Sequence, residues 1–490
     1  MSMSVLALGI ALGLPWLTAV LWLQRLFSQP QPGRWPMLLG YGYLLGLLLT
    51  TLLLRVQAGL GLGLGFWPPT LVLSALAALA LWLGYKGWRW PAAPIKRAPD
   101  TGPLSHTVAQ PWASWLIGLL LLWLGVRVLG LALELWWRPL FPWDAWTTWA
   151  VRAQVWVQAR ELVPFIAPDL WLQQPLGAAY ALQAWDYPAT VSLLATWPGL
   201  ALGAWSDRAA NLPWLGSAMA LALAFVGQAR AWGASVLSTL LFLWLLFSLP
   251  MLDTHIALAG YADLWLATAL GMSFFAFLHW VRTNDRRQGL LALMLAFATL
   301  LMKHEGAVWI GLFLPALLVA RRPPVWLLGV IAGIGLALVA IWFSGGVQLS
   351  LPLLGEVILS PTQLQVPGIG SFRLALSGSW QPVLYHLFVL DNWHLLGALV
   401  PAALVLAVAL MWRDRADRAL RAGVLWVLSA LSAVYVLFFW TDASAWVLQG
   451  TSVNRILLQF SPALLFWMLT LWLLLRHQSK LLPPAESSRA

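Results

Sequence analysis

The sequence predicts an all-α fold: a polytopic transmembrane helical bundle of about 13 spans, with interfacial juxtamembrane helices in its first large outward loop. Three observations carry that prediction. Of the 490 residues, 61% are hydrophobic and 9% charged, against about 25% charged in a soluble domain. Such a chain cannot close as a water-soluble globule. Apolar runs of spanning length recur along the whole chain. The net charge of +11 sits mostly on Arg in short connections between those runs. That is the orientation signal of a bacterial inner-membrane protein, not a nucleic-acid footprint.

The first run, 3–24, lacks the basic leader of a cleaved signal peptide and is read as a retained span. Further runs fall near 36–54, 66–85, 112–133, 262–281, 324–343, 393–411, 423–440 and 456–475, with shorter ones near 289–302 and 306–320. Basic connections hold Lys86, Arg89, Lys96 and Arg97; Arg282, Arg286 and Arg287; Arg321 and Arg322; and Arg413, Arg415, Arg418 and Arg421. With Arg476, His477 and Lys480 they are assigned to the cytoplasm. The chain must then cross an even number of times between 86–111 and 282–288. Five apolar segments lie there, three of them crowded at 189–205, 209–226 and 234–251. One must be partial or re-entrant, which is tolerated only where it is buried in protein or lines a cavity.

This topology turns loops 134–188 and 344–392 outward, together with 252–262, 303–305 and 441–455. The outward segments collect the acids and scattered polar groups. The chemistry is therefore expected on the outer face. Cysteine is absent, which excludes disulfides, thiol catalysis and Cys-ligated metals. The 36 Trp suit both headgroup-level anchoring and stacking on sugars. No internal repeat is visible.

The segment Phe141–Trp156, FPWDAWTTWAVRAQVW, concentrates the signal. Wound at 100° per residue, 143–158 gathers Trp146, Trp149, Ala150, Ala153, Trp156 and Val157 on one face. That face is expected to lie on the membrane. Asp144, Thr148 and Arg152 form a stripe on the other. A carboxylate and a guanidinium on one stripe can serve an acid–base step and a phosphate. Asp144 also fits a plain N-cap after Pro142, and Arg152 a snorkelling side chain.

Farther on, Asp186 and Pro188 read as a helix start. Asp253, His255 and Asp263 cluster at the mouth of a span, where Asp263 also fits a cap. Lys303, His304 and Glu305 sit between two short apolar runs and resist a purely structural account, although Lys303 alone could snorkel. Arg455 heads the last span on the outward side, where an Arg needs an anionic partner.

WDAWTTWAVRAQ, DYP, GYADLWLA and KHEG, with the Arg455 start of a late span, resemble the GT-C superfamily. These are polytopic glycosyltransferases that use lipid-linked sugars, including protein mannosyltransferases and the lipid A aminoarabinose transferase. The resemblance covers roughly 112–320 and, loosely, the last spans. It implies Asp144 as catalytic base and Asp263 as second catalytic acid. It implies substrate contacts from Arg152, Lys303, His304, Glu305, Arg455, His255, Tyr187, Tyr261, Trp143 and Trp146.

The chain then divides into N-terminal extra helices and a linker (1–111), a catalytic module (112–320), a C-terminal module (321–480) and a disordered tail (481–490). The implied function is inverting transfer of a sugar from a polyprenyl-phosphate donor to a hydroxyl on a glycan, lipid or protein acceptor. The implied place is the outer face of the bacterial cytoplasmic membrane. Membrane lipids are partners and nucleic acid is not. No metal ligands and no cofactor are called for, and with no DxD motif a divalent metal stays open. Two other readings are a lipid-linked sugar transporter or flippase, and an O-antigen ligase or polymerase relying on Arg373 and His386.

Overall fold

The structure is a computed structural model that describes residues 2–90, 111–175, 177–323, 325–351, 355–413 and 417–481. The Pro-rich linker expected over 86–111 falls largely on 91–110 and the tail expected over 481–490 on 482–490, outside the described residues.

Among the described residues, ten helices are long and apolar enough to cross a membrane. They are Val5–Leu26, Arg34–Gly59, Trp67–Tyr85, Pro111–Trp137, Asp207–Ala231, Asp263–Thr283, Val325–Phe343, Leu396–Arg413, Arg418–Trp440 and Val453–His477. An eleventh forms if Val236–Phe247 and Pro250–Ala257, bent by 69°, count as one broken span. Pro250 explains the break: it sits at the first position of the second helix and supplies no N–H to continue the first. Within the crowded block, Thr190–Leu202 has 13 residues. It measures about 20 Å at 1.5 Å per residue, short of the roughly 30 Å hydrocarbon core.

The Asp263–Thr283 helix is the axis of the bundle, with 94% of its apolar window buried. Its sequence is apolar on all sides, which suits a helix surrounded by others. The Arg286, Val453, Asp207 and Arg418 helices pack around it. Phe275 meets Phe466 with ring centroids 4.4 Å apart, and Phe274 meets Trp426 at 4.4 Å. By contrast, none of the Val325–Phe343 window is buried. A helix apolar on all sides yet unpacked is matched to lipid.

One end of the axis collects Arg. Arg282 donates to the Trp232 carbonyl, Arg287 pairs with Asp285, and Arg34 donates to the Phe27 carbonyl. The opposite end carries Asp263, and around it the segments at 142–150, 187, 261, 303–305 and 452–456.

The fold is mostly helical but not all-α, which corrects the sequence expectation. Within 344–392 four antiparallel strands pair in chain order: Val347–Leu351, Gly355–Leu359, Gln363–Val366 and Gly370–Arg373. Polar and apolar residues alternate along VQLSL and QLQV, the period of a strand. Gly345, Gly346 and Gly355 take positive φ next to these strands. The last strand joins the site end of the bundle: Leu374 bridges Thr441, and the Asp442 amide donates to the Arg373 carbonyl. Phe165–Ile166 and Tyr180–Ala181 form a second, two-residue pair.

Candidate functional site

Two glycines bring the site segments together. Gly260 (φ 120°) lies against Ala145, and a Cβ on it would meet the Ala145 side chain. That seats the Asp144 segment on the start of the Asp263 helix. Gly306 follows Glu305, and a Cβ there would collide with the Thr299 carbonyl oxygen. Only glycine lets the chain turn there tightly enough to present Lys303 and Glu305 to Asp263.

Asp263 is the hub and is fully buried. Its Oδ1 accepts from Lys303 Nζ at 3.1 Å and Gln459 Nε2 at 2.7 Å. Its Oδ2 accepts from Arg455 Nε at 2.9 Å and Nη2 at 2.6 Å. Four donors fill the acceptor capacity of one carboxylate. Asp263 therefore acts as a fixed anion that gathers cations, and it has no free lone pair for a substrate proton. It stands at the first helical position and caps nothing: its carboxylate is spent on tertiary partners. Gln459 is itself oriented by Trp309, whose indole N–H donates to its carbonyl at 2.5 Å.

Asp144 differs. It precedes a π-helical turn, Ala145–Trp149, and its side chain makes no capping bond. Its Oδ2 accepts from Arg455 Nη2 at 2.5 Å, and its side chain is 22% exposed. Arg455 is thus shared by two carboxylates, with its guanidinium over the Tyr261 ring at 5.1 Å. Lys303 is shared too: its Nζ lies 2.7 Å from Glu305 Oε1, while Glu305 Oε2 is buried with no partner among the described residues. Burial opposes the charge of Lys303, but Asp263 and Glu305 outweigh it and hold the ammonium above its ordinary range. Burial, then the Glu305 charge, pushes the Tyr187 phenol up to about 12, so its hydroxyl stays protonated. Tyr261 is raised by burial and then by Asp144.

These groups surround a cavity of about 250 Å³ lined by Asp144, Thr148, Trp149, Tyr187, Lys303, Glu305, Trp446, Ser452, Arg455 and Ile456. Five predicted site residues thus line one space: Asp144, Tyr187, Lys303, Glu305 and Arg455. Asp263 and Tyr261 lie just beneath it. His304 stacks on Tyr187 with centroids 4.5 Å apart, and its Nε2 sits 3.3 Å from Asp186 Oδ2. His255 is one layer deeper, 4.8 Å from the Tyr261 ring and bonded to the Met251 carbonyl.

Three expectations change. Arg152 does not share a stripe with Asp144: it is buried, donates to the Tyr187 carbonyl at 2.8 Å and lies over Trp156 and Phe165. Burial lowers its pKa to about 10, ahead of repulsion from Arg55. Trp143 and Trp146 are exposed at 77% and 64% and do not line the cavity. For Arg152 the cause is the π turn at Ala145–Trp149, which closes hydrogen bonds over five residues and shifts the phase of the residues after it. The helix is also not membrane-laid on its apolar face: Trp149, Ala153, Trp156 and Val157 are buried, and the helix packs on Thr190–Leu202.

Gln459, Trp309, Trp446 and Ser452 were not anticipated. Gln459 stands four residues after Arg455 in an apolar helix, and that spacing was the available signal. Arg373 and His386 do not line the cavity; His386 is held by Asn454 at 3.0 Å. Among the described residues, no three His, Asp or Glu side chains are arranged to hold a metal ion. No protein family, curated protein or solved structure matches this chain.

Proposed function

We propose that this chain is an inverting glycosyltransferase that moves a sugar from a polyprenyl-phosphate donor to an acceptor hydroxyl. The observation that carries the reading is Arg455 held between Asp144 and Asp263 at the cavity. A cation that could receive phosphate and a carboxylate that could receive a proton stand side by side, at one end of a membrane-type bundle. The resemblance of WDAWTTWAVRAQ, DYP, GYADLWLA and KHEG to the GT-C superfamily points the same way.

In the proposed reaction the acceptor hydroxyl oxygen attacks the anomeric carbon in line. The bond from that carbon to the phosphate oxygen breaks, and the sugar inverts. The hydroxyl proton passes to Asp144, and polyprenyl phosphate leaves with the bonding pair. Arg455 and Lys303 hold the developing phosphate charge. Tyr187 and Trp149, with tilted rings 5.1 Å apart, offer aromatic surface and a neutral hydroxyl to the sugar.

The site is assigned to the outer face of the bacterial cytoplasmic membrane, because the Arg-rich end then faces the cytoplasm. A thirteen-span path follows if the broken span crosses and Thr190–Leu202 does not. It also needs Arg286–Leu300 to cross, and the Glu305–Gly311 and Phe313–Arg321 helices to cross as one span. A transporter would concentrate its charges near the midplane, whereas this cluster lies where four segments begin or end. An O-antigen-type enzyme would need Arg373 and His386 in the cavity.

The test is turnover of the purified protein with polyprenyl-phosphate sugars, read as released polyprenyl phosphate. Asp144→Asn should reduce release by about 10²–10⁴-fold, the usual worth of a general base, with unchanged thermal unfolding. Wild-type rates in that variant remove Asp144 as the base.

A further inference from the structure

We infer that the donor phosphate takes the place on Arg455 that the Asp144 carboxylate holds, and that this exchange frees Asp144 for the acceptor. The inference rests on the glycosyltransferase reading above and adds an order to it: donor first, acceptor second.

The charge count motivates it. Three carboxylates (Asp144, Asp263 and Glu305) and two cations (Lys303 and Arg455) are linked in one chain of ion pairs. Ionised, they sum to −1, since three negatives meet two positives. A phosphate entering that cluster unchanged would add its charge to a site that is already net negative, where like charges repel. One carboxylate has to give way.

The geometry points to which one. Asp263 is held by four hydrogen bonds and is fully buried. Among the described residues Asp144 has a single hydrogen-bond partner, Arg455, and its side chain is 22% exposed. It stands just before a π turn, a feature that recurs at functional sites. The guanidinium stays in place during the exchange, since Asp263 holds its Nε and Tyr261 lies under its face. A phosphate can then take the edge that Asp144 leaves, with more acceptor oxygens than the carboxylate it displaces. Asp144, released, has both oxygens available to an acceptor hydroxyl.

The exchange predicts an unusual sign. Removing a residue from a binding site ordinarily weakens binding; here it should strengthen it, because Asp144 competes with the ligand. The experiment measures affinity of the full-length protein in detergent for a short-chain polyprenyl phosphate and for the matching uncharged polyprenol. Asp144→Asn and Asp144→Ala should each bind the phosphate about tenfold more tightly than wild type, a difference of about 1.4 kcal/mol. Neither should change polyprenol affinity. Asp169→Asn, which removes an exposed acid away from the cavity, should change neither. Equal or weaker phosphate binding by both Asp144 variants, with their folding intact, overturns the exchange and makes Asp144 a positioning partner of Arg455. Equal wild-type affinity for phosphate and polyprenol instead removes the lipid-phosphate reading, and the exchange falls with it. Tighter binding of both lipids by the variants marks a general loosening of the cavity and also overturns it.

Discussion

The two ends of the Asp263–Thr283 helix are both polar and both buried, yet they are built differently. At the C-terminal end, Gln228 Nε2 donates to Gln288 at 2.8 Å, and its Oε1 accepts from His279 Nδ1 at 2.9 Å. Gln228 Nε2 also donates to the Tyr41 hydroxyl at 3.2 Å, and that hydroxyl donates to the Met272 carbonyl, nearer the middle of the helix, at 2.7 Å. Arg287 closes a two-pronged pair with Asp285 at 2.8 and 2.9 Å. These groups find partners within the protein. At the N-terminal end the same helix begins with a carboxylate shared by two cations, and each cation is shared with a second carboxylate beside an open cavity. Glu305 Oε2 is left without a partner among the described residues. A satisfied buried network fixes the packing of helices. A network whose members compete for one another leaves capacity for a ligand. That contrast, more than the number of polar groups at either end, is what favours the N-terminal end as the candidate site.

The largest effect that would break the contrast is at its hub. Asp263→Ala leaves Lys303 and Arg455 buried without their shared anion. Removing one partner of a buried pair costs about 3–5 kcal/mol. Thermal unfolding of the variant should fall accordingly, and turnover should vanish with it. A stable Asp263→Ala protein would show that the cluster is more hydrated than its burial implies.

The opposite end supplies the counter-test. Gln228→Ala strands His279 and Gln288 and should cost about 1–3 kcal/mol, the penalty of unpaired buried polar groups. Turnover per folded molecule should be unchanged, because Gln228 lies toward the far end of the bundle from the cavity. Lost turnover at full stability would mean that the Arg-rich end takes part in function.

How much of this was legible before the structure depends on the range of the interaction. Apolar runs revealed the spanning helices, since a span is a local property of some twenty residues. Parity of the basic connections anticipated an irregular segment in 189–251, and Thr190–Leu202 is short there while Val236–Ala257 is bent. Asp144, Lys303 and Arg455 stood out because charges are rare in such a chain. The sheet at 347–373 was missed because two-residue alternation is faint where most residues are apolar. Gln459 was missed because its partner Asp263 lies 196 residues away. Arg152 was misplaced because nothing local marks a π turn, which rotates the residues after it out of the 100° register.

Arg152 therefore gives the smallest effect and the sharpest check on the contrast. The sequence reading placed it beside Asp144 as a phosphate ligand; the structure gives it the Tyr187 carbonyl and two aromatic faces. A residue so engaged resembles the groups of the far end more than the competing ion pairs, although it sits near the cavity and its Nε finds no partner among the described residues. Its work is to hold Tyr187, which lines that cavity. Arg152→Lys keeps the charge but loses the planar stacking. A single hydrogen bond to a charged donor is worth about 1.5–3 kcal/mol, and lysine retains part of it, so turnover should fall by about tenfold or less. On the proposed reaction the loss should appear in KM for the sugar donor with kcat nearly kept, because the proposed base Asp144 and the proposed phosphate-binding cations Lys303 and Arg455 are untouched. Affinity for sugar-free polyprenyl phosphate should stay at the wild-type value. If Arg152 bound the phosphate directly, that affinity would drop together with KM, and the division between satisfied and competing groups would have to be redrawn.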